Sequence, residues 1–324
     1  MSTVDSGGAV YALDSNLTIS TCVFQECWSI EDGGVLSLFN STFSSKNNHY
    51  LDNESRRDGG VISAEGEASA TFLSYFDVFE ANNALDAAAV VVQGDLYALF
   101  EGAWFRNNSA SSAGGAVIAS GHAVIECQQC QFQENFSSSS GGGLFLMQFS
   151  HAILQDANFH MNYAVVGGGA VCTQDFASIE LDSSFASHNS AEQGGAFLFS
   201  SSGNSTVRNS QITDNKAIST GGGISMRDNG AVTVDKSEFL RNEAPSGAGL
   251  WSEDSVYIHI YECLFEENLA VSRGGGLLLG DNTHGYVLNS TFRNNIANVT
   301  GGGAIWIQDQ ATPVIAFSHF EVCS

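Results

Sequence analysis

A glycine pair or triplet followed by small and aliphatic residues returns twelve times along the chain, at intervals of 26 to 28 residues. With the last glycine or its replacement as marker, the positions are Gly8, Gly34, Gly60, Ala88, Gly115, Gly143, Gly169, Gly195, Gly223, Gly249, Gly276 and Gly303. A second marker keeps step, nearly always 16 or 17 residues later: Phe24, Phe79, Phe105, Phe132, Phe159, Phe185, Ile212, Phe239, Phe265, Phe292 and Phe320. Three residues beyond it stand Asn82, Asn108, Asn135, Asn162, Asn215, Asn242, Asn268 and Asn295. A unit of about 27 residues cannot enclose a core alone, so such a chain must bury its apolar face by stacking copies.

Each unit reads as three short strands. An apolar run such as Ala304-Ile305-Trp306-Ile307 follows the glycines, then a turn such as Arg227-Asp228-Asn229-Gly230, then an alternating segment such as Val256-Tyr257-Ile258-His259-Ile260. No 3.6-residue period persists for a dozen residues, which argues against helices. The pattern predicts an all-β, single-stranded, right-handed parallel β-helix of about 12 coils, with phenylalanines stacked inside and the asparagines chained by amide hydrogen bonds from coil to coil. Twelve coils at about 4.8 Å each give a rod roughly 55–60 Å long.

The pairing of Gly115-Ala116-Val117 and Gly303-Ala304-Ile305 with Phe132-Gln133-Glu134-Asn135 resembles the repeats of chlamydial polymorphic outer-membrane proteins, over almost the whole chain. That resemblance implies a surface-displayed β-helix used in adhesion or as a scaffold. The chain departs from that family in carrying no C-terminal barrel segment, so autotransport is not expected. Both ends fall inside the repeat, and residues 1–324 are expected to be one continuous β-helix cut from a longer repeat protein.

One coil breaks the pattern. Phe43 follows Gly34 by only nine residues, and the polar stretch 47–58 reads as an inserted side loop. Eight Asn-x-Ser/Thr sequons point to a secreted glycoprotein. Seven of them, Asn16, Asn40, Asn53, Asn107, Asn204, Asn289 and Asn298, are candidate glycan sites, whereas Asn135 belongs to the interior ladder. Of the seven cysteines, Cys22 with Cys27 is the disulfide candidate, and Cys127-x-x-Cys130 reads as small core residues rather than a zinc site.

Acidic residues number 35 against 11 Lys and Arg, a net charge of −24, which disfavours nucleic acid and anionic membrane surfaces. No apolar run approaches the roughly 18–20 residues of a membrane span. Asp228, Asp254 and Asp281 stand five residues after their marker glycines in three consecutive coils, a weak calcium or sugar site against the simpler reading that aspartate suits turns. The eight histidines form no row, no nucleophile-and-base arrangement is visible, and an enzyme is not expected.

The strand after the glycines is apolar on both faces, and only one can point inward. Leu36, Leu38, Val90, Val92, Phe145, Met147, Phe197, Phe199, Ile305 and Ile307 are taken as the outward stripe, an interface for self-association or for another surface protein. The function expected is an extracellular or cell-surface structural or adhesive scaffold, glycosylated and assembling through that face into fibres or a surface layer. The alternative is a carbohydrate-binding or carbohydrate-active β-helix. No cofactor is expected apart from calcium in the alternative.

Overall fold

The computed structural model describes residues 6–201 and 203–324. Strands of two to five residues stack in parallel into four sheets, three of twelve strands and one of eleven. Every strand pairs with its counterpart one turn away, as Val90 does with Ile62 and Val117. The result is a right-handed β-solenoid of about twelve turns. Three strands per turn were expected, and the structure adds a fourth, such as Ser109–Ala110, immediately after the ladder asparagine. It is only two residues long in most turns, too short to show in the sequence as an alternating run. Among the described residues there is no helix, and so none long and apolar enough to cross a membrane.

The corners explain the glycines. At Gly168 φ is +62°, a left-handed conformation that costs glycine nothing. At the next residue, Gly169, an added Cβ would overlap the carbonyl oxygen of Gly195 in the following turn. The pair therefore makes both the bend and the close approach between turns. In Gly141-Gly142-Gly143 the bend falls on the first glycine and the crowding on the second, so counting from the last of that triplet shifts the strand by one residue.

Inside, rings stack along the axis. Phe24, Tyr50, Phe79, Phe105, Phe132 and Phe159 lie near-parallel with centroids 5.4, 4.9, 4.9, 4.8 and 4.6 Å apart, and Phe239, Phe265, Phe292 and Phe320 continue the row beyond a gap. These distances follow the strand spacing of about 4.8 Å, so each ring rests on the next with no tilt needed. At the gap the inward residue is Ala186, and Phe185 points out to solvent, contrary to the sequence pattern. Buried Phe197 and Phe199 from the neighbouring sheet fill the space that alanine leaves, Phe197 meeting Phe159 edge-on at 6.4 Å.

The stretch 47–58 is not a side loop. It contains the strands His49–Leu51 and Glu54–Ser55, in register with the turns on either side. Tyr50, 16 residues after Gly34, takes the phenylalanine position with its hydroxyl 3.0 Å from Ser45 Oγ, and Phe43 lies one strand earlier, packed on Phe72. The polar character of this segment is what disguised a regular turn.

Candidate functional site

The asparagine ladder runs unbroken from Asn53 to Asn295 and includes every predicted member, together with Asn53 and Asn189. In each step Oδ1 accepts from the backbone N–H and the Nδ2 of the preceding asparagine, while Nδ2 donates to the carbonyl of the ring position one turn back, as Asn162 does to Phe132 at 2.9 Å. All four polar valences of the amide are used, and the side chains are buried. This row is structural.

Asn53 is therefore excluded as a glycan site: it is buried, and its Nδ2 donates to Phe24 O and Asn82 Oδ1. Asn16, Asn107, Asn204, Asn289 and Asn298 are exposed, and Asn40 is half-buried with Oδ1 accepting from Glu67 N–H. Asn107 and Asn289 occupy left-handed corner positions, φ +54° and +50°, which asparagine tolerates better than most residues.

The disulfide candidate fails as well. All seven cysteines are free thiols. Cys22 and Cys27 flank opposite ends of the strand Val23–Gln25, so a chain of three extended residues, about 10 Å, holds their corners apart. Cys127, Cys130, Cys172 and Cys263 are buried, and burial pushes the thiols of Cys172 and Cys263 up to about 12.

The nominated outer stripe faces mostly inward. Leu36, Leu38, Val90, Val92, Phe197 and Phe199 are core residues, and Ile305 and Ile307 pair with inward Leu277 and Leu279. Phe145 and Met147 lie outside, because the corner bend of their turn falls on Gly141, the first of its triplet, and counting from Gly143 shifts them by one residue. The outward row is Val91, Ile118, Phe145, Cys172 and Leu198, one residue per turn, packed into a cluster of its own with Ala87. It is recessed, not raised: Val91 is 1% exposed, Ile118 and Phe145 6%.

Val91, Ile118 and Phe145 form the floor of a groove of about 360 Å³ whose edges carry Asp58, Asp86, Gln93, Ser139 and Gln174. Asp58 and Asp86 are bridged in parallel across adjacent turns, and Asp86 Oδ1 accepts from Ala113 N–H at 2.9 Å. Burial, then the charges of Asp32 and Asp86, push Asp58 up to about 6 against the opposing pull of Arg57. The sequence reading missed this row, although Asp32, Asp58 and Asp86 each directly precede a corner pair.

A second groove, about 590 Å³, follows the next corner and is lined by Asp228, Asn229, Asp254, Ser255, Asp281, Asn282, Asp309 and Gln310. The predicted aspartate row is thus brought to one place. Each aspartate holds a left-handed φ between +47° and +62°, the turn geometry that favours this residue type. Beside them Glu253 is pushed up to about 7 by burial, a hydrogen bond with Asp281 and the charges of Asp254 and Asp309. Among the described residues no three His, Cys, Asp or Glu side chains are grouped closely enough to hold a metal ion, so the three aspartates line a groove without forming a coordination set.

A family model described as the right-handed beta helix region matches residues 142–320. The chain belongs to the right-handed β-helix family. Comparison with curated proteins and with solved structures returns no match. The family embraces polysaccharide-cleaving enzymes and rods without catalysis, so membership fixes the architecture and leaves function to the two grooves.

Proposed function

We propose that this β-helix is a rigid scaffold displayed outside the cell, where it serves adhesion by engaging a partner along one side. The observation that carries this reading is the apolar row Val91, Ile118, Phe145, Cys172 and Leu198, which lies outside the closed core and whose first three members floor a recess. Apolar side chains outside a finished core are explained by a ligand or partner more readily than by stability. Five exposed sequons elsewhere on the rod, and the resemblance to surface-displayed repeats, support an extracellular setting in which asparagine-linked glycans decorate the remaining faces.

A second reading, carbohydrate binding or cleavage in the acidic groove, is favoured by one specific feature. Glu253, its pKa pushed up to about 7 beside Asp281, makes with it the kind of carboxyl pair that acid–base chemistry on sugars uses. The two readings separate in one experiment. The purified chain is incubated with a panel of neutral and acidic polysaccharides, and their chain lengths are followed by chromatography. The scaffold reading expects every polymer to remain intact. Shortening of any polymer that is abolished in Glu253→Gln would establish the second.

A further inference from the structure

We infer that the recessed apolar groove is a docking site for an extended segment of a partner protein, one that lays aliphatic side chains on the floor and brings lysine or arginine to Asp58 and Asp86. This deepens the scaffold reading and rests on it. The floor supplies one apolar residue per turn from Val91 through Ile118 to Phe145, two steps of about 4.8 Å, or about 10 Å. That length accommodates about three residues of extended chain at 3.3 Å each. Because Ile118 and Phe145 are sunk below their surroundings, a flat or convex surface cannot reach them, whereas a single strand can.

Charge then selects the occupant. Between Asp58 and Val207 the sequence holds a single basic residue, Arg106, and it lies on the third sheet, bonded to Glu80 at 2.7 Å. At the groove edge Arg57 is the one basic neighbour of Asp58, and its Nε lies 3.9 Å from Asp32, so a single arginine faces the three carboxylates of Asp32, Asp58 and Asp86 and the edge stays net negative. A second copy of this chain, at net charge −24, would meet like charge, as would an acidic polysaccharide. A neutral polysaccharide would find hydrogen-bond partners only along the edge, at Gln93, Ser139 and Gln174, and none on the floor of aliphatic carbon and a ring edge. Past Met147 the neighbouring corner extends the apolar surface with an exposed stack of His122, Phe149 and Phe176, ring centroids 5.3 and 5.7 Å apart.

The test uses a fluorescent seven-residue peptide alternating leucine and lysine, a leucine–glutamate counterpart, and a cellohexaose probe, titrated by anisotropy against the whole chain. The leucine–lysine peptide is expected to bind, with affinity falling as salt rises, and the glutamate peptide at least about 100-fold more weakly. Asp58→Asn with Asp86→Asn, and separately Phe145→Ala, should each weaken binding about tenfold. Asp254→Asn, in the other groove, should leave it unchanged. Melting temperatures confirm that the variants are folded, and the two Asn substitutions keep the shape of the side chain. Absence of peptide binding, or equal binding by all variants, overturns the proposal, as does cellohexaose binding that the groove variants abolish. The scaffold reading falls separately, only if the polysaccharide panel is cleaved.

Discussion

Removing one amide from the middle of the asparagine ladder should cost far more than a typical surface substitution. Asn162 Oδ1 accepts from Asn135 N–H at 3.1 Å and from Asn135 Nδ2 at 2.9 Å, and its own Nδ2 donates to Phe132 O at 2.9 Å and Asn189 Oδ1 at 3.0 Å. Asn162→Ala deletes all four bonds. Asn189 Oδ1 still accepts from the backbone N–H of residue 162, so three buried groups are orphaned: Asn135 N–H, one Asn135 Nδ2 proton and the Phe132 carbonyl. At about 1–3 kcal/mol for each buried polar group left without a partner, the expected loss is roughly 3–6 kcal/mol after partial relaxation. Asn158→Ala, which removes only a half-buried amide contact to Gln131, should cost under about 0.5 kcal/mol.

Denaturant titration gives the stability difference, but a stacked array can lose its cooperativity and unfold in halves. Hydrogen exchange supplies the local readout. The Asn135 amide, protected in the parent chain by Asn162 Oδ1, should become one of the fastest-exchanging amides of the central turns in the variant. A loss below about 1 kcal/mol with that amide still protected would show that the ladder follows the stacking and does not hold it.

Four further outcomes follow from the same geometry. Gly169→Ala should prevent folding or cost at least about 3 kcal/mol by denaturant titration, since the added methyl meets a backbone carbonyl that cannot move without parting two turns. Glu253 has its folded pKa raised to about 7 from an ordinary carboxylate value, so the native state binds the extra proton and stability declines as pH climbs from about 4.5 to about 7. Accordingly Glu253→Gln should raise the melting temperature at pH 8 by about 1–2 °C and leave it nearly unchanged at pH 4. Thiol labelling of the native chain should reach Cys22, Cys27 and Cys323, with Cys127, Cys130, Cys172 and Cys263 reacting only after denaturation. Expressed in a glycosylating host, the folded chain should carry glycans at exposed sequons such as Asn107 and Asn289 and none at Asn53 or Asn135, as glycopeptide mass spectrometry would show.

The architecture was legible because its determinants repeat: a corner glycine that must lack a side chain, a ring that stacks on its own copy, and an amide that bonds its own copy. The same regularity misled where chemistry was conserved under a different residue. Tyr50 and Asn53 stand at the expected offsets from Gly34, but with tyrosine in the ring position the nearest phenylalanine is Phe43, and against that marker a regular coil reads as a loop. Phe185 was read inward because Ala186, the true core residue, is small, and its missing volume comes from Phe197 and Phe199 in a different sheet. No local pattern reveals such a trade across sheets.

The functional surface was harder to see. The parity of a strand decides which face is wet, and one extra glycine in Gly141-Gly142-Gly143 was enough to place Phe145 and Leu36 on the same side when they lie on opposite ones. The aspartate row at Asp228, Asp254 and Asp281 was visible by spacing, and so, in retrospect, were Asp32, Asp58 and Asp86. What spacing could not convey is that the second row borders an apolar recess, since side chains from several successive turns line it together.

The account stands on the apolar groove, rather than the acidic one, being the face that meets a partner. A photoreactive residue placed at Met147, and another at Asn229 in a separate variant, would be illuminated in the cells that make the protein. The account predicts a protein adduct through position 147, with its cross-linked segment basic and apolar by mass spectrometry, and none through position 229. Adducts through 229 alone would contradict it and move the function to the acidic groove.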